Sequence, residues 1–243
     1  MNQKQTVYFF DLYGTLVDIR TDETKSSLWR GAAEFYSLCG AAYRSAELRE
    51  RYLALCAEES SSLAAARPEL GEEGVEIELR NVFRRLFEEK SAPVSDERAA
   101  DAALLFRALS YRRSPRLMRG ARETLAELRR RGARIFLLSN AQNCFTMPEL
   151  RKLGLDEAFD TIFLSSDFGC KKPSPVFFAA ALASAGVSPE EALMVGNDPD
   201  ADMRGAASVG MPGCYIHTWQ SPPRRSPLPE GCVEIAELTD LLK

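Results

Sequence analysis

Histidine is nearly missing from this chain: one residue, His217, stands in a sequence of 243. That scarcity argues against a histidine-rich metal centre and against a Ser-His-Asp triad. His217 follows an apolar run near the end of the chain and reads as a packed or hydrogen-bonded structural residue. Paired cysteines are missing too. Cys39, Cys56, Cys144, Cys170, Cys214 and Cys232 lie far apart, with no C-x-x-C spacing. No stretch approaches the ~20 apolar residues of a membrane span, and the polar start Met1–Gln5 lacks a signal-peptide pattern. The expectation is a cytoplasmic protein with reduced thiols and no membrane partner. Excess positive charge is also lacking. The net charge of −4 argues against a dedicated nucleic-acid binder. The basic run Arg112, Arg113, Arg116 and Arg119 reads as solvated loop surface.

What is present is an ordinary globular composition, 45% hydrophobic and 27% charged, in a length that suits a core domain with a smaller companion. Short apolar runs at Val7–Leu12, Ile135–Ser139, Ile162–Ser165, Leu193–Val195 and Cys214–Ile216 read as strands buried on both faces of a parallel sheet. Helical patterns lie between them, at Ala121–Arg131 and at Pro175–Ala185 with Ser174 as N-cap. The alternation predicts an α/β fold, a Rossmann-like doubly wound parallel sheet. Residues 20–115 interrupt it with four helical stripes. These are Leu28/Ala32/Phe35/Tyr36, Leu48/Tyr52/Leu55/Cys56, Leu79/Val82/Phe83/Leu86/Phe87, and Ala99–Leu109. The predicted organisation is a core of residues 1–19 and 116–243 with an inserted α-helical domain over 20–115. Glu58–Gly74 is expected to be irregular. Trp29 and Tyr36 read as packing residues. Beyond Trp219 a Pro-rich surface loop precedes a short strand and closing helix in Val233–Leu242. No internal repeat is visible.

Four motifs follow predicted strands. In "FFDLYGTLVD" Asp11 ends an apolar run, at the carboxyl end where open α/β sheets bind ligands. Gly14 suits a tight turn, and the Thr15 hydroxyl can steady the loop or the carboxylate. Plain Asp-x-x-Gly turn chemistry is the competing reading. Ser139-Asn140 can hold an anionic oxygen or simply cap the next helix. In "CKKPSP" Lys172 precedes a proline, which favours an extended segment able to aim a fixed charge inward. An ordinary surface lysine is the alternative. In "VGNDPDAD" Asp198, Asp200 and Asp202 crowd one turn. Such carboxylates repel unless a cation offsets them, and oxygen-only ligands favour Mg²⁺. A solvated acidic loop would look the same.

Taken in order, Asp, Ser, Lys and acidic loop resemble the haloacid dehalogenase (HAD) superfamily of hydrolases, over most of residues 5–217. The helical insert looks like that superfamily's type 1 cap. The resemblance implies Asp11 as nucleophile, Ser139 as a binder of the transferring group, Lys172 as charge neutraliser and Mg²⁺ in the acidic loop. Its ligands would be Asp11, the Tyr13 carbonyl, Asp198 and Asp202. Candidate substrate contacts are Tyr13, Thr15, Asn140 and Arg30. The substrate expected is a small phosphorylated compound.

Two departures keep other readings open. Phosphatases of the superfamily usually carry an acid–base Asp where this chain has Tyr13, and a phenol is a poor base at neutral pH. "DxYGTL" looks instead like the 2-haloacid dehalogenases, whose halide leaving group needs no proton. "LWR" at 28–30 is similar to a halide-accepting arginine there, at a shorter spacing. The acidic loop opposes that branch, which works without metal. Asn197 also falls where a Gly-Asp pair would put its aspartate, so Asp198 and Asp202 carry the metal expectation. Three functions follow: a Mg²⁺-dependent hydrolase using an aspartyl intermediate, a metal-independent 2-haloacid dehalogenase, or a binding protein that keeps the fold and Mg²⁺ but has lost turnover.

Overall fold

The structure, a computed structural model, describes residues 6–243. Strand β1 (Val7–Phe10) leads through a tight turn to β2 (Val17–Thr21). Five helical segments follow: α1 (Ser26–Leu38), α2 (Ser45–Ala66), the single turn α3 (Gly71–Gly74), α4 (Leu79–Glu88) and α5 (Asp96–Ser110). β3 (Tyr111–Leu117) returns to pair with β2. Then come α6 (Ala121–Arg130), β4 (Arg134–Ser139), α7 (Asn143–Leu153), β5 (Thr161–Leu164) and the single turn α8 (Ser165–Phe168). The chain ends with α9 (Pro175–Ala185), β6 (Ala192–Gly196), the turn α10 (Gly205–Ser208), β7 (Gly213–Ile216), β8 (Val233–Ile235) and a closing 3₁₀ turn Leu238–Leu242.

Six strands form one parallel sheet in the order β5-β4-β1-β6-β7-β8. Phe10 lies level with Leu137 on one side and Val195 on the other. Side chains alternate across the pleat. Tyr8 and Phe10 join a cluster with α6 and α7, while Val7 and Phe9 join another with α9. Both faces are covered, which is why these strands read as unbroken apolar runs. The strand order reverses around β1, so the open crevice of a doubly wound sheet falls at the carboxyl ends of β4, β1 and β6. The predicted fold class therefore holds, and all five predicted strands match observed ones to within a residue or two.

The helical insert has its own core. Leu28, Trp29, Tyr36, Tyr52, Phe83 and Phe106 are buried together, and Cys144 and Phe145 of α7 join them from below. The Trp29 indole donates to the Glu23 carbonyl and the Tyr36 hydroxyl to that of Phe83, so both pack within the insert. Two local expectations need correction. Glu58–Gly74 is not wholly irregular, because α2 runs on to Ala66 before a 3₁₀ turn at Pro68–Leu70. Its last turns, "EESSSLAAA", carry no apolar stripe, so periodicity could not reveal them. The basic run is not loop: Arg112, Arg113 and Arg116 lie on β3 and pair with Asp22 and Asp18 across the ribbon. The expected insert limits at 19/20 and 115/116 fall inside β2 and β3.

Candidate active site

β4, β1 and β6 are neighbours, and each delivers one element of the site at its carboxyl end. Asp11 follows β1 and its amide donates to the Val195 carbonyl at 2.9 Å, which continues the ladder up to the carboxylate. The chain then turns. The Leu12 carbonyl accepts from Leu16 and Val17 at 2.8 Å, and Gly14 takes φ +89°. A side chain at Gly14 would be strained there, and its Cβ would stand 2.5 Å from the Asn197 amide nitrogen. Gly14 therefore lets two loops meet over Asp11.

Lys172 is the hub. It is 3% exposed, and its ammonium donates to Asp11 Oδ1 at 2.8 Å, to Asp202 Oδ1 at 2.6 Å and to the Leu138 carbonyl at 2.8 Å. Burial alone pulls the ammonium's pKa down, but Asp11 and Asp202 outweigh it and hold the group above its ordinary value. Ser139 ends β4 and donates to the same Asp11 oxygen at 3.1 Å. Burial pushes the Asp202 carboxyl up from the ordinary carboxylate range, with Lys172 pulling against it and the charge on Asp11 adding to the push. Its Oδ2 receives the Asp198 amide at 2.9 Å. Asp198 in turn accepts the Asp200 and Ala201 amides on Oδ1, each at 2.8 Å, capping the wide helical turn Pro199–Arg204. Asp200 faces away and pairs with Arg204.

These groups open into a cleft of about 160 Å³ lined by Asp11, Tyr13, Ser139, Asn140 and Lys172, and on the β6 side by Asn197, Asp198 and Asp202. Gln220 and Pro222 of the Pro-rich loop close one edge. Gln220 was missed in the sequence. Its amide nitrogen is tied to the Ile19 carbonyl at 2.9 Å, while its buried Oε1 has no partner among the described residues. Loop composition carries no sign of that.

Two expected substrate contacts instead brace the site. Thr15 is fully buried, with its hydroxyl 3.2 Å from Asp11 Oδ2 and 3.1 Å from Asn197 Oδ1. The Asn140 side chain clamps the Lys172 backbone, donating to its carbonyl at 2.9 Å and accepting its amide at 2.7 Å. Arg30 is not at the site at all. It is exposed on α1 and absent from the cleft lining, because the Leu28/Ala32/Tyr36 stripe turns inward and leaves position 30 on the other face. His217 is likewise outside the cleft, exposed, with Nδ1 3.1 Å from the Tyr215 hydroxyl.

The Tyr13 side chain leads away from Asp11. Its hydroxyl donates to Glu149 Oε2 at 2.6 Å and lies 3.0 Å from Thr146 Oγ1, both on α7. Burial, then the Glu149 charge, raise the phenol's pKa far above its usual value. Arg107 of α5 pairs with Glu149 at 2.6 Å, and the Tyr111 hydroxyl donates to the same carboxylate at 2.7 Å. Glu149, Arg107 and Tyr111 were not singled out in the sequence. Glu149 does carry a signal, since it shares the buried stripe of α7 with Phe145 and Leu150.

The cleft's donors are all oxygens, and three carboxylates face a single ammonium. A hard divalent cation suits that imbalance. Among the described residues no three carboxylate, thiolate or imidazole groups close around one point. An ion here would therefore complete its shell with a backbone carbonyl, water and substrate, as Mg²⁺ does.

A strand-end carboxylate, a buried lysine and an acidic turn thus meet at the switch point of a doubly wound α/β sheet. The family model for haloacid dehalogenase-like hydrolases matches residues 6–210. The chain belongs to that family. It is 37% identical over 148 residues to a phosphoserine phosphatase of Thermus thermophilus, a match covering 60% of this chain and 58% of that enzyme. The chain thus spans little more than half of that relative. The fold is similar to a 2-haloacid dehalogenase from Pseudomonas syringae (TM-score 0.62, 21% identity, covering 98% of this chain and 96% of that one). It is also similar to a HAD phosphatase from Thermococcus onnurineus (TM-score 0.59, 21% identity, covering 97% and 95%). No helix among the described residues is long and apolar enough to cross a membrane.

Proposed function

We propose that the protein hydrolyses a small phosphate ester, with Asp11 as the nucleophile and Mg²⁺ as cofactor. The observation that carries this reading is the charge layout. Lys172 holds one oxygen of Asp11 while Asp198 and Asp202 leave the same cleft net negative. Phosphatase names among the curated relatives support it.

Asp11 Oδ1 is held by Lys172 and Ser139, so Oδ2, with one long contact to Thr15, is the attacking oxygen. It forms a bond to phosphorus as the bond to the leaving oxygen breaks, giving an aspartyl-phosphate. Water then attacks phosphorus, the bond to Asp11 breaks, and the carboxylate is restored with release of phosphate. Lys172 offsets charge gathered on the nucleophile and the transferring oxygens. The Asp11 carboxylate, the Tyr13 carbonyl and Asp198 would hold Mg²⁺, which supplies positive charge against the phosphoryl oxygens. Both Asp202 oxygens are already engaged, so it serves as a counter-charge that orients Lys172 and the Asp198 loop.

Against the dehalogenase reading, Arg30 is exposed outside the cleft, and the one cationic side chain among the described residues lining it, Lys172, already donates to Asp11, Asp202 and the Leu138 carbonyl. The test is a phosphate-ester panel with Mg²⁺. Turnover should vanish on chelation and fall by on the order of 10³-fold or more in Asp11→Asn. Chloride release from 2-chloropropionate in EDTA, or hydrolysis that survives Asp11→Asn, would defeat the proposal.

A further inference from the structure

We infer that this cleft selects phosphates whose leaving group departs as a weak base, namely acyl, enol and aryl phosphates, over alkyl phosphates. The inference rests on the phosphoryl-transfer reading above. It is carried by the fate of every proton that faces the cleft.

Tyr13 stands two residues from the nucleophile and lines the cleft, but its hydroxyl donates its hydrogen bond to Glu149 at 2.6 Å. That carboxylate is enclosed by Arg107, at 2.6 Å, and Tyr111, at 2.7 Å. An ammonium has three hydrogens. Those of Lys172 go to Asp11, Asp202 and the Leu138 carbonyl. The two acidic side chains beside Asp11 are committed as acceptors. Asp198 Oδ1 takes two amides of its own turn, and Asp202 takes Lys172 on one oxygen and the Asp198 amide on the other. The polar groups left are amides and the Ser139 hydroxyl, itself bonded to Asp11. None of these is acidic enough to protonate an alkoxide.

An alkoxide must gain a proton as its bond to phosphorus breaks, and a placed acid is worth about 10²–10⁴ in rate. A carboxylate, enolate or phenolate keeps the electron pair and leaves as a stable anion without one. In the first step the Asp11 oxygen bonds to phosphorus, the phosphorus–oxygen bond to the leaving group breaks, and the electron pair goes with that group. In the second, water attacks phosphorus with no placed base to take its proton, and that proton leaves on the phosphate product. The aspartyl-phosphate should therefore build up during turnover.

The experiment compares kcat/KM, with Mg²⁺ present and spontaneous hydrolysis subtracted, across acetyl, p-nitrophenyl, phenyl and glycerol phosphates. Mass spectrometry follows phosphate on Asp11. The wild-type enzyme should favour acetyl and p-nitrophenyl phosphate over glycerol phosphate by at least about 100-fold. Tyr13→Asp, which returns an acid to the cleft, should narrow that gap by raising the glycerol phosphate rate. The wild-type series decides alone if the variant fails to fold. Comparable values across the series, with Asp11 phosphorylated, overturn this inference and leave the hydrolase reading standing. Absence of phosphate on Asp11 with every substrate overturns both.

Discussion

Lys172 sits between two carboxylates that would otherwise confront each other out of water. Its Nζ lies 2.8 Å from Asp11 and 2.6 Å from Asp202, and both partners are buried. Removing one partner of a buried ionic group leaves uncompensated charge, which typically costs ~3–5 kcal/mol. Lys172→Ala should lower the unfolding free energy by about that amount in urea melts, and turnover should fall with it. A loss below ~1 kcal/mol would mean that water reaches the pair. At this scale the sequence was legible wherever a side chain lining the cleft sits at the end of an unbroken apolar run. Asp11, Ser139 and the Asp198–Asp202 turn all do. Lys172 was marked by its proline. What could not be read was direction. Nothing in "DLYGTL" tells that the Tyr13 hydroxyl turns from the nucleophile to α7, because its partner stands 136 residues away. Arg30 was misplaced for the converse reason, since a three-residue likeness carried no information about which helix face it occupies.

Elements meet through side chains that periodicity treats as noise. α5 and α7 face each other across the junction of insert and core, and Arg107 with Glu149 is their polar contact. The Arg107 side chain is 13% exposed and that of Glu149 5%. Arg107→Ala would strand a buried carboxylate with only the Tyr13 and Tyr111 phenols bonded to it. The expected loss is about 3 kcal/mol in denaturant unfolding, and Arg107→Ala with Glu149→Gln should recover part of it. A double variant no better than the single one would contradict the pairing. The β2–β3 ribbon escaped the sequence reading because it is short, and because β3 carries Arg112, Arg113 and Arg116 with Pro115 among them. Those arginines are exposed and matched by Asp18 and Asp22, a pattern that reads as loop until the partner strand is known.

For the whole molecule, contact between insert and core has a pH signature. Glu76 leads into α4, and its carboxylate accepts from Gln142 at 2.9 Å and from Ser165 at 3.1 Å in the core. Burial raises its pKa, with Lys171 and those two hydrogen bonds opposing. A carboxyl raised in the folded state stabilises fully below its unfolded pKa of ~4.3, and that contribution fades as pH climbs through the folded value. Glu76→Gln lacks the titration. Thermal melts from pH 4 to 7.5 should therefore show the variant gaining on wild type as pH rises. A constant difference over that range would refute the assignment. The overall plan, a parallel sheet interrupted by helices, was plain in the sequence because both parts have strong and different periods. The manner of their joining was not, since it depends on a few polar residues from distant positions.

The ribbon has a last implication, for inheritance. Thr21 faces Tyr111 across it, so the helical insert departs and returns through one doorway. A different insert can be spliced there without disturbing the strand ends that hold Asp11, Ser139 and Asn197. The insert and the cleft are therefore free to diverge at separate rates, with one reservation. Tyr13 lines the cleft, yet its hydroxyl is bound to a carboxylate that Arg107 reaches from the insert and Tyr111 from the ribbon. A lineage that exchanged the insert would inherit a Tyr13–Glu149 pair stripped of Arg107, and with it pressure to change residue 13.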